Sequence, residues 1–190
     1  MKYSLIALAL AAALPLSAQA NDLSYSFIEG GYARSSVSSA DASGFFVDGS
    51  FKFNDDFYGA LSYRKVSDNG VSLDEKLATL GYRHPMTATS DFIAELSYLN
   101  IGADAGSFGS SDSNGYRVGA GFRGMLAPRF EGNIKGYYSK IKDFGGGKFG
   151  ANVGGVFYIN QTWGITGSYD HAKLLGENIN TWSVGVRASF

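Results

Sequence analysis

The sequence predicts an all-β protein, an antiparallel transmembrane β-barrel of about ten strands, with eight as the alternative count. Three observations predict it. Segments of alternating apolar and polar residues recur along the chain, as in TWSVGVRASF, where Trp182, Val184, Val186, Ala188 and Phe190 alternate with Thr181, Ser183, Gly185, Arg187 and Ser189. The connections between such segments alternate in length. Aromatic residues of the apolar face gather near both ends of the segments, with small and aliphatic residues between them.

The N-terminal MKYSLIALALAAALPLSAQA carries Lys2, an apolar stretch from Leu5 to Leu14, Pro15 and a small-residue Ala18-Gln19-Ala20 ending. This is the pattern of a secretory signal peptide over 1–20, leaving 21–190 as the barrel. Removing the leader takes away Lys2 alone among the charged residues, so the net charge moves from −1 to about −2, which gives no case for nucleic acid. The chain has no Cys, so an exported fold would hold without disulfides. Its 26 Gly, 12 Tyr and 14 Phe with only 3 Pro favour many short strands joined by polar turns.

Strands are expected at 23–35, 44–53, 57–67, 75–84, 91–101, 115–125, 130–141, 149–159, 163–170 and 179–190. SVSSADAS, DNGVSLD, GADAGSFGSSDSN, DFGGGK and HAKLLGEN read as the longer loops, and NDD, PMTATS, LAPR and NQT as mostly shorter turns. Long loops at one end and short turns at the other are the arrangement of an outer-membrane barrel. In the second strand Phe45, Val47, Gly49, Phe51 and Phe53 share one face, and Phe46, Asp48, Ser50 and Lys52 the other. Only the first set suits lipid. The same split places Tyr116, Val118, Ala120 and Phe122 opposite Arg117, Gly119, Gly121 and Arg123.

Phe53, Phe57, Tyr82, Phe92, Phe157, Trp163 and Phe190 fall near the short-turn end; Phe45, Tyr63, Tyr98, Tyr116, Tyr138, Tyr169 and Trp182 fall near the other. Two such girdles match two membrane interfaces, a feature that a soluble barrel has no use for. The last strand is expected to pair with the first, because an open edge in lipid leaves backbone groups unsatisfied. Val184, Val186, Ala188 and Phe190 also have the form of a C-terminal signal read by the barrel-assembly machinery. In LSYSFIEGGYARS the apolar residues occupy both parities, so the register of the first strand stays open, with a bulge at Gly30-Gly31 as one solution.

The segments LSYSFIEGGYARS, LGYR, NGYRVGAGFRG and SVGVRASF resemble the Ax family of small outer-membrane barrel proteins of xanthomonads. The resemblance covers most of the chain. It implies a Gram-negative outer-membrane location and carries over no catalytic residues.

The inward face supplies Asp48, Glu95, Glu131 and Asp170 against Lys52, Arg64, Arg83, Arg117, Arg123, Lys135 and Arg187. An open lumen lined this way would favour anions, whereas charges paired across it would plug it, and pairing is the expectation. Lys65, Lys76, Lys140, Lys142, Lys148 and Lys173 lie near the long-loop end, where they would meet lipopolysaccharide phosphates. Catalysis is not expected: Asp170 and His171 point to opposite faces, His84 precedes Pro85 at the other end, and GGGK precedes no helix. No metal or cofactor is expected. The reading is a structural or surface-interaction barrel working through its loops with an unidentified partner; a narrow, anion-preferring channel is the alternative.

Overall fold

The computed structural model describes residues 23–37, 40–106, 109–142, 146–174 and 177–190; the leader read at 1–20 lies outside them. Ten antiparallel strands form one closed barrel: β1 (Phe27–Val37), β2 (Ala40–Lys52), β3 (Phe57–Asp68), β4 (Val71–Thr87), β5 (Ser90–Asp104), β6 (Ser110–Ala127), β7 (Phe130–Ile141), β8 (Gly147–Tyr158), β9 (Trp163–Leu174) and β10 (Glu177–Ser189). Each pairs with its sequence neighbour, and β10 returns to β1.

That closing pair runs unbroken from Phe27↔Ser189 to Val37↔Ile179, and β1 is equally regular against β2. The bulge considered at Gly30-Gly31 is therefore absent. Gly31 instead permits close approach, since a Cβ there would stand 2.1 Å from the Val184 carbonyl oxygen. Glu29, Ala33 and Ser35 face inward, and Ile28 and Tyr32 outward. The strand begins at Phe27, not at residue 23. Leu23–Ser26 bend into the barrel mouth, because Tyr25 finds carboxylate and guanidinium partners there that a lipid-facing position would lack.

A second correction concerns the long connections. Most residues read as loops are strand: pairing continues to Val37↔Ala40, Asp68↔Val71, Asp104↔Ser110 and Glu177↔Leu174. Asn69 and Gly70, both with positive φ, suffice to reverse the chain between β3 and β4. Strands thus rise past the girdle at this end and make a paired hairpin rim. The other end has register shifts at Pro85/Thr87 and Met125/Ala127, the first where proline cannot donate to the ladder.

The outer face is an apolar belt, with Leu61, Leu80, Leu96, Ile134, Val153, Ile165 and Val184 all exposed. Aromatic pairs border it on neighbouring strands: Phe45–Tyr63, Tyr138–Phe149 and Tyr169–Trp182 at one end, Phe57–Tyr82 and Phe92–Phe122 at the other, with centroids 4.4–5.8 Å apart. Inside, Phe46, Tyr58, Ile93, Leu99, Tyr137 and Val156 are buried among polar groups. Tyr58 lies flat over its cross-strand partner Gly81, where a Cβ would meet the ring at 2.1 Å.

Gly81→Ala should displace the Tyr58 ring and lower the stability of the folded barrel by about 1–3 kcal/mol. Gly49→Ala, with nothing within 4 Å of the added carbon, should leave it unchanged. Urea titration of the folded gel band in micelles checks both.

Candidate functional site

The lumen is the candidate site, and its lower part is a stack of charge pairs. At the short-turn end Glu131, 1% exposed, takes two hydrogen bonds from Arg123, at 2.7 and 2.9 Å. It also accepts the Tyr158 hydroxyl at 2.9 Å, with Arg187 at 3.4 Å. Arg187 pairs in turn with Glu29 at 2.7 Å and lies 3.8 Å from the Phe27 ring centroid. Beside this group Tyr25 donates to Asp91 at 2.8 Å, between the guanidinium groups of Arg83 and Arg123. Arg83 pairs with Asp91 at 3.0 Å, and Arg123 also donates to the Ser24 carbonyl. The N-terminal segment is thereby tied across the mouth.

Higher up, Glu95 holds Lys135 and accepts the Tyr58 hydroxyl at 2.7 Å; Ser62 donates to Asp48. Above them Arg117 pairs with Glu75 at 2.8 Å, donates to Ser139 at 2.9 Å and stacks on the Tyr137 ring, whose hydroxyl donates to Asp170 at 2.7 Å. The arrangement follows from desolvation: a charge taken into a narrow interior is tolerated only with partners for its donors and lone pairs. Four tyrosines, at 25, 58, 137 and 158, each cap a carboxylate.

Every inward charge expected from the sequence points inward, although Lys52 sits at the mouth, 3.2 Å from Asp55. Sequence reasoning missed Glu75 and Asp91 and left Glu29 out of the balance. These three raise the acidic set from four to seven, and Lys148, which also proves to be inward, raises the basic set from seven to eight, so the excess of base that an open lumen would offer to anions falls from three to one. Glu75 lies in the charged run Asp74-Glu75-Lys76, where alternation alone assigns no face, and Asp91 lies beside a turn. Tyr25 was missed because its segment was read as strand.

Of the basic residues near the rim, Lys65, Lys76 and Lys140 share the outward parity of Tyr63, Ala78 and Tyr138. Lys76 is held by Asp74 at 2.8 Å. Lys142 follows β7 and is exposed, as is Lys173. Lys148 departs from the expectation: it is opposite Ser139, has inward parity and lines an internal recess with Arg117, which takes it out of the outer lipopolysaccharide-facing set. Beyond the girdle, hydrogen bonding from Ser36 and then Arg34 holds the exposed Asp41 carboxyl below its ordinary range. Val184 and Val186 face outward, whereas Ala188 is buried and the Phe190 amide donates to the Ser26 carbonyl at 3.0 Å. Asp170 and His171 do not converge: Asp170 takes Tyr137, and His171 Nδ1 meets Asn180 at 2.7 Å. Among the described residues no group of three metal-ligating side chains occurs.

A closed strand order, an apolar outer belt between aromatic girdles and a charged lumen define a membrane-spanning β-barrel. No family model matches the chain, and comparison with curated proteins finds no match either. Among solved structures it is similar to Ail, the attachment invasion locus protein of Yersinia pestis, with 17% identity over 87% of this chain and 97% of that one and a TM-score of 0.41. It is similar to the NanC porin, with 12% identity, 87% and 100% coverage and a TM-score of 0.48. The N-terminal β-barrel domain of Pseudomonas aeruginosa OprF gives 16% identity, 88% and 100% coverage and a TM-score of 0.44.

Glu131→Gln should destabilise the barrel by about 3–5 kcal/mol, because Arg123 would keep a buried charge without its carboxylate, whereas Arg187 retains Glu29. Replacing Glu131 and Arg123 together by Leu and Met should cost less than that single change. Urea midpoints of the three proteins in micelles check the order.

Proposed function

We propose that this chain is an outer-membrane β-barrel with a closed lumen, structural in the membrane and active through its long-loop end. One observation carries the reading: from Tyr25 up to Glu75, ion pairs and tyrosine caps fill the lumen at successive levels. An aqueous channel needs solvated charges, and below Arg64 these are engaged with one another.

The chemistry of the rim supports contact with the outer leaflet. Lys65, Lys140 and Lys142 stand just beyond the aromatic girdle as point charges suited to lipopolysaccharide phosphate. The alternating Val184, Val186, Ala188 and Phe190 would be read by the assembly machinery before closure. No catalytic role is assigned, since the histidines and carboxylates are apart or engaged. The narrow channel remains the competing reading.

Planar-bilayer recording of the refolded chain decides between them. The expected result is a silent bilayer from barrels that are folded by their gel shift. Steady anion-selective current that Arg117→Glu reverses would establish the channel instead.

A further inference from the structure

The paired hairpin rim encloses a cavity of about 640 Å3 at the long-loop end. Its walls carry fewer charges than the lumen beneath. Val37, Val66, Leu73, Ile101, Ala103 and Ile179 form the walls, and Arg64 and Glu75 the floor. Ser35, Ser111 and Ser113 also line it, but the surface it offers is mostly carbon, which suits a small molecule that is mostly hydrocarbon.

The floor supplies the polar specificity. A recess of about 100 Å3 shares Arg64, Glu75, Ile101, Ile179 and Thr181 with the cavity and adds Arg117, Lys148, Lys173 and Asp170. Arg64, Arg117 and Lys148, of inward parity, thus face two acidic groups, while Lys173, of outward parity, only borders the recess. Both acids are engaged, Glu75 by Arg117 at 2.8 Å and Asp170 by the Tyr137 hydroxyl at 2.7 Å. Arg64 is under-used: its Nε has no hydrogen-bond partner and its Nη1 stands 3.8 Å from Glu75, beyond hydrogen-bond distance. Lys148 has no ion-pair partner among the described residues. Asp68 and Glu177, the other acids of the cavity with the Lys76-bound Asp74, lie at strand ends beside the turns. A negative head is therefore favoured in the recess and disfavoured at the rim.

We propose that this cup binds a single-chain amphipathic anion, its hydrocarbon against the apolar walls and its head in the recess at Arg64 and Lys148. The proposal rests on the closed-lumen reading, because a conducting lumen would make the recess part of a passage.

The test uses the barrel in nanodiscs of zwitterionic lipid, with labelled Ile, Leu and Val methyl groups followed by NMR. Decanoate, decanol and decylamine are titrated in turn. Decanoate should give saturable shifts at Val66, Leu73, Ile101 and Ile179, while the lipid-facing Leu61 and Val184 respond alike to all three additives. Arg64→Gln and Lys148→Gln should each weaken decanoate binding about tenfold without changing that of decanol. Absence of saturable cup shifts, equal or tighter binding of decylamine, or decanoate affinity unchanged in both variants would overturn the proposal. Bilayer recording on the same preparation separates the two readings: a silent barrel with an unresponsive cup defeats only the ligand, whereas a conducting barrel defeats the closed lumen on which the ligand reading rests.

Discussion

Pairing of β10 with β1 is the constraint on which the other features depend. Within lipid an unpaired strand edge leaves its N–H and C=O groups without partners, at several kcal/mol each, so an open sheet is not an available state. Continuous register from Phe27↔Ser189 to Val37↔Ile179 removes that edge. Closure at ten strands then fixes a narrow interior, somewhat wider than the space that side chains of eight strands just fill. Whatever points inward must pack against the opposite wall.

Two consequences follow from so narrow an interior. Charged side chains placed inside lose most of their water, which makes their mutual pairing the condition for folding; Glu131 with Arg123 and Arg187 is the most buried instance. Tyrosines serve well among them because the ring fills space while the hydroxyl satisfies a carboxylate, and Gly81 leaves room for the Tyr58 ring. Above Arg64 and Glu75 the wall is no longer lipid-bounded, and Val66, Leu73, Ile101 and Ile179 join Ser111, Ser113 and Thr181 on the inward face.

Much of this was legible from alternation, because lipid outside and a filled lumen inside impose opposite demands on successive residues. Phe45, Val47 and Phe51 outward against Phe46, Asp48 and Ser50 inward is the simplest case. Alternation fails where its physical cause fails. Glu75 stands in a run of three charges, and Tyr25 precedes the first ladder and enters the lumen by a bend that no periodicity encodes. The rim was misread for a related reason: polar strands that face water on both sides look like loops in sequence, yet Ser110–Gly115 pairs residue by residue with β5. Partners across the lumen, such as Arg117 and Glu75, are set by barrel closure and are invisible to local pattern.

The most direct measurement of the central claim, that paired charges close the lumen below an open cup, is thiol accessibility, which the absence of native Cys makes simple. Ser111→Cys places a thiol in the cup and Ser97→Cys places one on the buried inner wall. In liposomes, a small membrane-impermeant thiol reagent should modify Ser111→Cys from one side only and leave Ser97→Cys unmodified from both. Rapid modification of Ser97→Cys in the folded barrel would contradict the account.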